Sequence, residues 1–104
     1  MNQPAEQIVR LDLNNPVFQR QLLGLQKQHQ KEVLGTLRKL LNMSWGQVYT
    51  DKGLRWEVIV SRKGPHGGRI YSFRIGKGFR GIAYREQAWM RLLSLHPDHD
   101  STYK

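Results

Sequence analysis

Between Arg69 and Tyr103 the sequence collects side chains suited to holding and cutting a phosphodiester. Arg69, Arg74, Arg80, Arg85 and Arg91 recur along segments that read as strands, and Lys77 sits in a glycine turn. The stretch closes on His96, Asp98, His99, Asp100 and Tyr103. Cutting a phosphodiester needs a base on the attacking oxygen, cations around the pentacoordinate phosphorus and an acid for the leaving oxygen. A histidine near a carboxylate titrates close to neutrality and can pass that proton. The plain alternative is a polar strand-exit turn, since Pro-Asp and His-Asp are ordinary turn chemistry. A metal centre is not expected. Catalytic zinc takes three ligands converging from rigid elements, and only His29 and His66 remain elsewhere, in a polar run and a glycine-rich loop.

Charge points to the same kind of partner. The formal net charge is +9 over 104 residues. Arg62 to Arg91 holds eight basic residues and one acid, Glu86, which suggests a polyanion or an acidic protein. Binding of a polyanion such as RNA through Arg69, Lys77, Arg80, Arg85 and Arg91 should weaken steeply with salt. There is no cysteine, so neither a disulfide framework nor a thiolate nucleophile is available, which fits a reducing cytoplasm. The segment MNQPAEQIVRLDL lacks the apolar core of a signal peptide. No apolar run approaches the ~20 residues of a transmembrane helix, so no membrane association is expected.

The elements that would position these groups follow from spacing. Residues 1–104 read as one domain. Partial alternation over 7–13 predicts a first strand. Asn15-Pro16 is a helix start, followed by Phe18, Leu22 and Leu25 at helical spacing. The run QKQHQKE (26–32) has no apolar residue and reads as a turn or kink before a second helix over 30–42. In that helix Val33, Leu34, Leu37, Leu40 and Leu41 form a stripe. Ser44 and Gln47 have capping-box spacing for a short helix over 45–50. Segments 55–61, 69–75, 79–85 and 88–96 read as strands with glycine-bearing or short polar turns between the later ones. The expected fold is α+β: a two-helix hairpin on one face of a twisted antiparallel sheet of four to five strands.

Two-residue turns at Lys77-Gly78 and Glu86-Gln87 would sort the side chains into two faces. Tyr71, Phe73, Ile75, Ile82, Tyr84, Trp89, Leu93 and Leu95 would face the helices. Ser72, Arg74, Phe79, Gly81, Ala83, Arg85, Met90, Leu92, Ser94 and His96 would form an open trough. Arg80 and Arg91 then fall on the apolar side, with Glu57 or Asp12 as partners. A slip of one residue at the Gly76–Gly78 turn would invert part of this scheme.

GLRWE (53–57), YSFRI (71–75), FRGIAY (79–84) and the terminal His99-Asp100-x-x-Tyr103 together resemble the RelE/ParE superfamily of small bacterial toxins. The likeness is greatest to RelE-like members ending in His-Asp-x-x-Tyr, and covers about half the chain by motif. It implies the toxin of a type II toxin–antitoxin system: a metal-independent endoribonuclease using the RNA's own 2′-hydroxyl, with no cofactor. The implied partners are a cognate antitoxin and RNA, ribosome-bound mRNA in many members. The resemblance makes Glu57 the general base and Arg74 the phosphate-stabilising cation. His96 or His99 protonates the leaving 5′-oxygen, with Tyr103 beside it. The sequence departs from the family in offering two histidines for the acid. The alternative is a non-catalytic binder of the same fold, acting on DNA gyrase, the ribosome or an antitoxin alone.

Overall fold

The computed structural model describes residues 7–97. His99 and Tyr103, with Asp98 and Asp100, lie outside the described residues. The described chain is α+β, with three helices packed on one face of a five-stranded mixed sheet. The elements run β1 (Arg10–Asp12), α1 (Pro16–Gly24), α2 (Lys27–Leu41), α3 (Trp45–Thr50), β2 (Glu57–Lys63), β3 (Arg69–Gly76), β4 (Phe79–Glu86) and β5 (Trp89–His96).

The helices start where local chemistry dictates. Asn15 Oδ1 accepts from the Val17 and Phe18 amides at 2.8 and 3.3 Å, and Pro16 occupies a position that needs no donor. Ser44 and Gln47 close a complete capping box at the head of α3. The polar run 26–32 is not a turn, contrary to its composition. Its residues 27–32 form the first part of α2, and the connection from α1 is only Leu25-Gln26. The Gln30 side-chain amide explains the tightness: it donates at 2.9 Å to the Leu22 carbonyl, which also accepts from the Leu25 amide at 3.3 Å, and so ties α2 to the end of α1. Val33, Leu37 and Leu40 are buried, whereas Leu34 and Leu41 stay more than half exposed.

The strand order is β1-β5-β4-β3-β2. β2 to β5 are antiparallel, but β1 runs parallel to β5, so the sheet is mixed rather than wholly antiparallel. The helices must intervene between β1 and its neighbour, which is what a parallel pairing requires. The main core lies between helices and sheet, around Phe18, Leu40, Trp45, Phe73, Phe79, Met90 and Leu92. A smaller cluster of Ile59, Ile70 and Ile82 covers part of the opposite face.

Two β-bulges overturn half of the expected face assignment. Arg74 pairs with Arg80 and Gly76 with Phe79, leaving Ile75 as an extra residue. Ala83 pairs with Leu92 and Ile82 with Ser94, leaving Leu93 extra. Each bulge shifts side-chain parity by one. Phe79, Gly81, Ala83, Met90 and Leu92 therefore lie on the helical side, not in a trough. Arg80, Ile82, Tyr84 and Leu93 turn to the other side. Ser72, Arg74, Ser94 and His96 keep their expected face.

Gly81 is part of this packing. A methyl group there would sit 2.4 Å from Cζ of Phe73, itself 1% exposed. Gly81→Ala is expected to cost about 1–3 kcal/mol by overpacking, read as a fall of several degrees in Tm. An unchanged Tm would mean that the Phe73 ring has room to move.

Candidate active site

The site is built around the segment Gly53–Glu57, where burial alternates residue by residue. Leu54 and Trp56 are 1% and 8% exposed and act as pegs in the core, so Arg55 and Glu57 point outward. Leu54 is held from behind, its amide donating to Asp51 Oδ1 at 2.8 Å. That bond, with the Lys39 ammonium 3.1 Å from the carboxylate, keeps the Asp51 carboxyl below its ordinary range. The Leu54 carbonyl in turn accepts from the Arg74 amide at 2.6 Å, which locks the segment to the end of β3. Trp56 stacks on Tyr71, with ring centroids 4.6 Å apart.

Arg80 lies at the centre of the site. It is 6% exposed, and its Nη2 donates to Ser72 Oγ at 2.7 Å and to the Arg55 carbonyl at 3.1 Å. Glu57 Oε1 is 3.8 Å from the same nitrogen, and Glu57 Oε2 is 3.7 Å from Arg55 Nε. Glu57 and Ser72 are register partners across β2 and β3. Arg74, Arg80 and His96 form one row across β3, β4 and β5. At about 4.8 Å per strand, Arg74 and His96 are separated by roughly 10 Å of backbone, bridged by Arg80. Arg55, Arg74 and Arg80, with Gly76 and Gly78, line a cleft of about 220 Å³.

His96 Nε2 lies 2.9 Å from Ser94 Oγ. Partial burial, aided by the positive charge of Arg62, lowers the imidazole pKa below its ordinary 6.5. The ring is therefore mainly neutral at neutral pH in the free protein. An approaching phosphate would bring negative charge to the ring and so favour its protonated form, against the effect of Arg62.

The sheet thus brings together Glu57, Arg74, Arg80 and His96. It does not bring the other arginines with them. Arg85, expected on the face away from the helices, lies on the helical side, since its partner Met90 is core. Its guanidinium sits 4.4 Å over the Trp45 ring, and it donates to Gln87 O and Gln7 Oε1. Arg91 is on the outer face but engages Asp12 at 2.5 Å and Glu86 at 2.6 Å. The Asn14 amide, followed by Arg91, holds the Asp12 carboxyl low, and the bonds to Asp12 and Glu86 hold the Arg91 guanidinium high. Arg69 and Lys77 are exposed, at the start of β3 and in the β3–β4 turn. Among the described residues no three His, Asp or Glu side chains gather as metal ligands.

Sequence reasoning missed Arg55, Ser72 and Ser94. The signal for Arg55 was present: GLRWE places an arginine between two large apolar residues, two positions before Glu57. No family model, curated protein or solved structure matches the chain. The likeness to RelE-like toxins therefore rests on the motifs given above.

Proposed function

We propose that this protein is a metal-independent endoribonuclease of the RelE-like kind, the toxin of a type II toxin–antitoxin pair. One observation carries the reading: a carboxylate, two arginines and a neutral imidazole share one open sheet face, with the buried Arg80 between them. The roles follow from position. Glu57 takes the proton of the attacking 2′-hydroxyl. Arg80 and Arg74 stabilise the dianionic phosphorane with donors already fixed before substrate arrives. His96, protonated once the phosphate is bound, gives its proton to the departing 5′-oxygen. The bond from phosphorus to the 5′-oxygen breaks as the one to the 2′-oxygen forms, leaving a 2′,3′-cyclic phosphate. The basic surface suits an acidic antitoxin covering the same face. No helix among the described residues is long and apolar enough to cross a membrane. A translated mRNA substrate would make the cytoplasm the site of action.

The test is cleavage of a translated mRNA by purified protein in excess chelator. Cyclic phosphate ends are expected, with Arg74→Ala slower by about tenfold or more. Absence of cleavage under all conditions, with growth arrest surviving in Arg74→Ala, would instead make the chain a binder of gyrase, ribosome or antitoxin.

A further inference from the structure

Glu32, Gly35, Thr36 and Lys39 follow one another along α2 at the spacings that put side chains on one side of a helix. They line a second cleft, of about 360 Å³, together with Leu54 and Arg74. A cleft of this size can take a small ligand. Arg74 also lines the smaller cleft with Arg55 and Arg80, so one guanidinium borders both openings. Glu32 lies at the same boundary. A methyl group on Gly76, which lines the arginine cleft, would sit 2.8 Å from Glu32 Oε2. Among the described residues no hydrogen bond or ion pair engages the Glu32 carboxylate or the Arg74 guanidinium. Gly35 is the other unusual feature. It lies inside α2, where glycine is among the least favourable residues. The fold does not ask for it: its φ is not positive, and nothing lies within 4 Å of where its Cβ would stand. What glycine leaves at this position is open room in the cleft.

We propose that this cleft is a guanine-binding subsite, in which Glu32 reads the base. A carboxylate only accepts hydrogen bonds, and its two oxygens match a pair of parallel N–H donors. Among the four RNA bases only guanine presents such a pair, N1–H and N2–H, on its Watson–Crick edge. Adenine and cytosine set a ring-nitrogen acceptor beside their amino group, and uracil flanks its one N–H with carbonyls. Each would turn an acceptor towards the carboxylate. For guanine O6 the same side of α2 supplies the Thr36 hydroxyl and the Lys39 ammonium, whose three donors are not exhausted by Asp51 at 3.1 Å. The position of Arg74 between the two clefts sets the register: with a phosphate in the arginine cleft, the base in this one belongs to a nucleotide directly beside it. That the guanine belongs to an RNA strand rests on the endoribonuclease reading; the guanine subsite itself does not.

Titration calorimetry tests this with 2′-O-methyl trinucleotides, which cannot be cleaved, carrying guanine, adenine, cytosine or uracil at each position in turn, and with 5′-GMP. At one position the parent is expected to bind guanine about tenfold or more tightly than adenine, the usual discrimination of a bidentate pair. GMP should bind more weakly than the best trinucleotide. Glu32→Gln puts a donor where an acceptor stood and should reduce the preference to about twofold or less, with Tm unchanged. Gly35→Leu should keep or raise Tm, since leucine favours the helix and its Cβ meets nothing within 4 Å. By filling the cleft it should weaken the guanine trinucleotide about tenfold. Equal affinity for guanine and adenine at every position in the parent, a preference that survives Glu32→Gln, or a folded Gly35→Leu with parental affinity would each overturn the subsite. GMP bound as tightly as the best trinucleotide would make the ligand a free nucleotide and overturn its placement in RNA. The expected preference in a protein that cleaves no RNA would leave the subsite standing and sink the endoribonuclease reading. Cleavage without the preference would do the reverse.

Discussion

Arg80→Lys should fold and should cleave RNA about 10²–10³-fold more slowly than the parent. Lysine keeps the charge and much of the stem but not the fork. An ammonium that reproduced the two bonds from Nη2 to Ser72 Oγ and the Arg55 carbonyl would have one donor left for a phosphate, where the guanidinium keeps three on two further nitrogens. The effect should fall on kcat more than on substrate affinity, because the guanidinium is positioned for charge that appears only in the transition state. Arg80→Ala is the harsher change. It strips a buried hydroxyl and a carbonyl of their donor and opens a hole, so stability would fall together with activity. The lysine variant separates the two effects. Parental single-turnover rates in folded Arg80→Lys would show that this arginine is a structural tie and not the stabiliser of the phosphorane.

His96→Gln is expected to lower cleavage by about 10²–10⁴-fold, the range for loss of a positioned general acid. The pH profile makes the role specific. kcat/KM reports the free enzyme, in which burial and Arg62 hold the imidazole below 6.5. If the protonated ring is required, kcat/KM should fall as pH rises through that lowered value, so the basic limb lies on the acid side of an ordinary histidine. Arg62→Gln removes one of the two causes and should move the limb to higher pH. A limb unmoved by Arg62→Gln, or lying above the ordinary histidine value in the parent, would exclude His96 as the acid. Stability carries the opposite sign. A depressed imidazole pKa contributes stability that is present above 6.5 and is lost as pH falls through the folded value. The pH that charges the acid is also the pH at which this residue begins to weaken the fold, and His96→Gln should flatten that dependence.

Much of this arrangement was legible in the sequence. Alternation and turn residues placed β3, β4 and β5, and Asn15-Pro16 and Ser44-x-x-Gln47 placed two helix starts. Glu57 and Asp12, suggested as carboxylates for Arg80 and Arg91, do pair with them, Glu57 with Arg80 and Asp12 with Arg91, and Arg91 adds Glu86. What escaped was parity. Whether Arg80 faces the helices or the open side depends on one extra residue, Ile75, and whether Leu93 is core depends on a second bulge. A bulge leaves no mark in hydropathy beyond two adjacent residues of similar polarity. The start of α2 escaped because its first part is solvent-facing and polar, and its anchor, Gln30, works through an amide rather than an apolar contact. Arg55 escaped because its importance lies in backbone geometry, which composition does not report.

The parallel pairing of β1 with β5 has a consequence in time. Asp12 and Arg91 are 79 positions apart, whereas every other strand pairing joins neighbours in sequence. On the ribosome β1 is made before the other four strands, yet it has no partner strand until β5 has emerged. The hairpins of β2 to β4 can form as they appear, at low cost in loop closure. The edge that β1 will cover, and the row that His96 completes, exist only after that last strand arrives. A nascent chain would therefore remain without the row that His96 completes, and with an open sheet, until all five strands have been made.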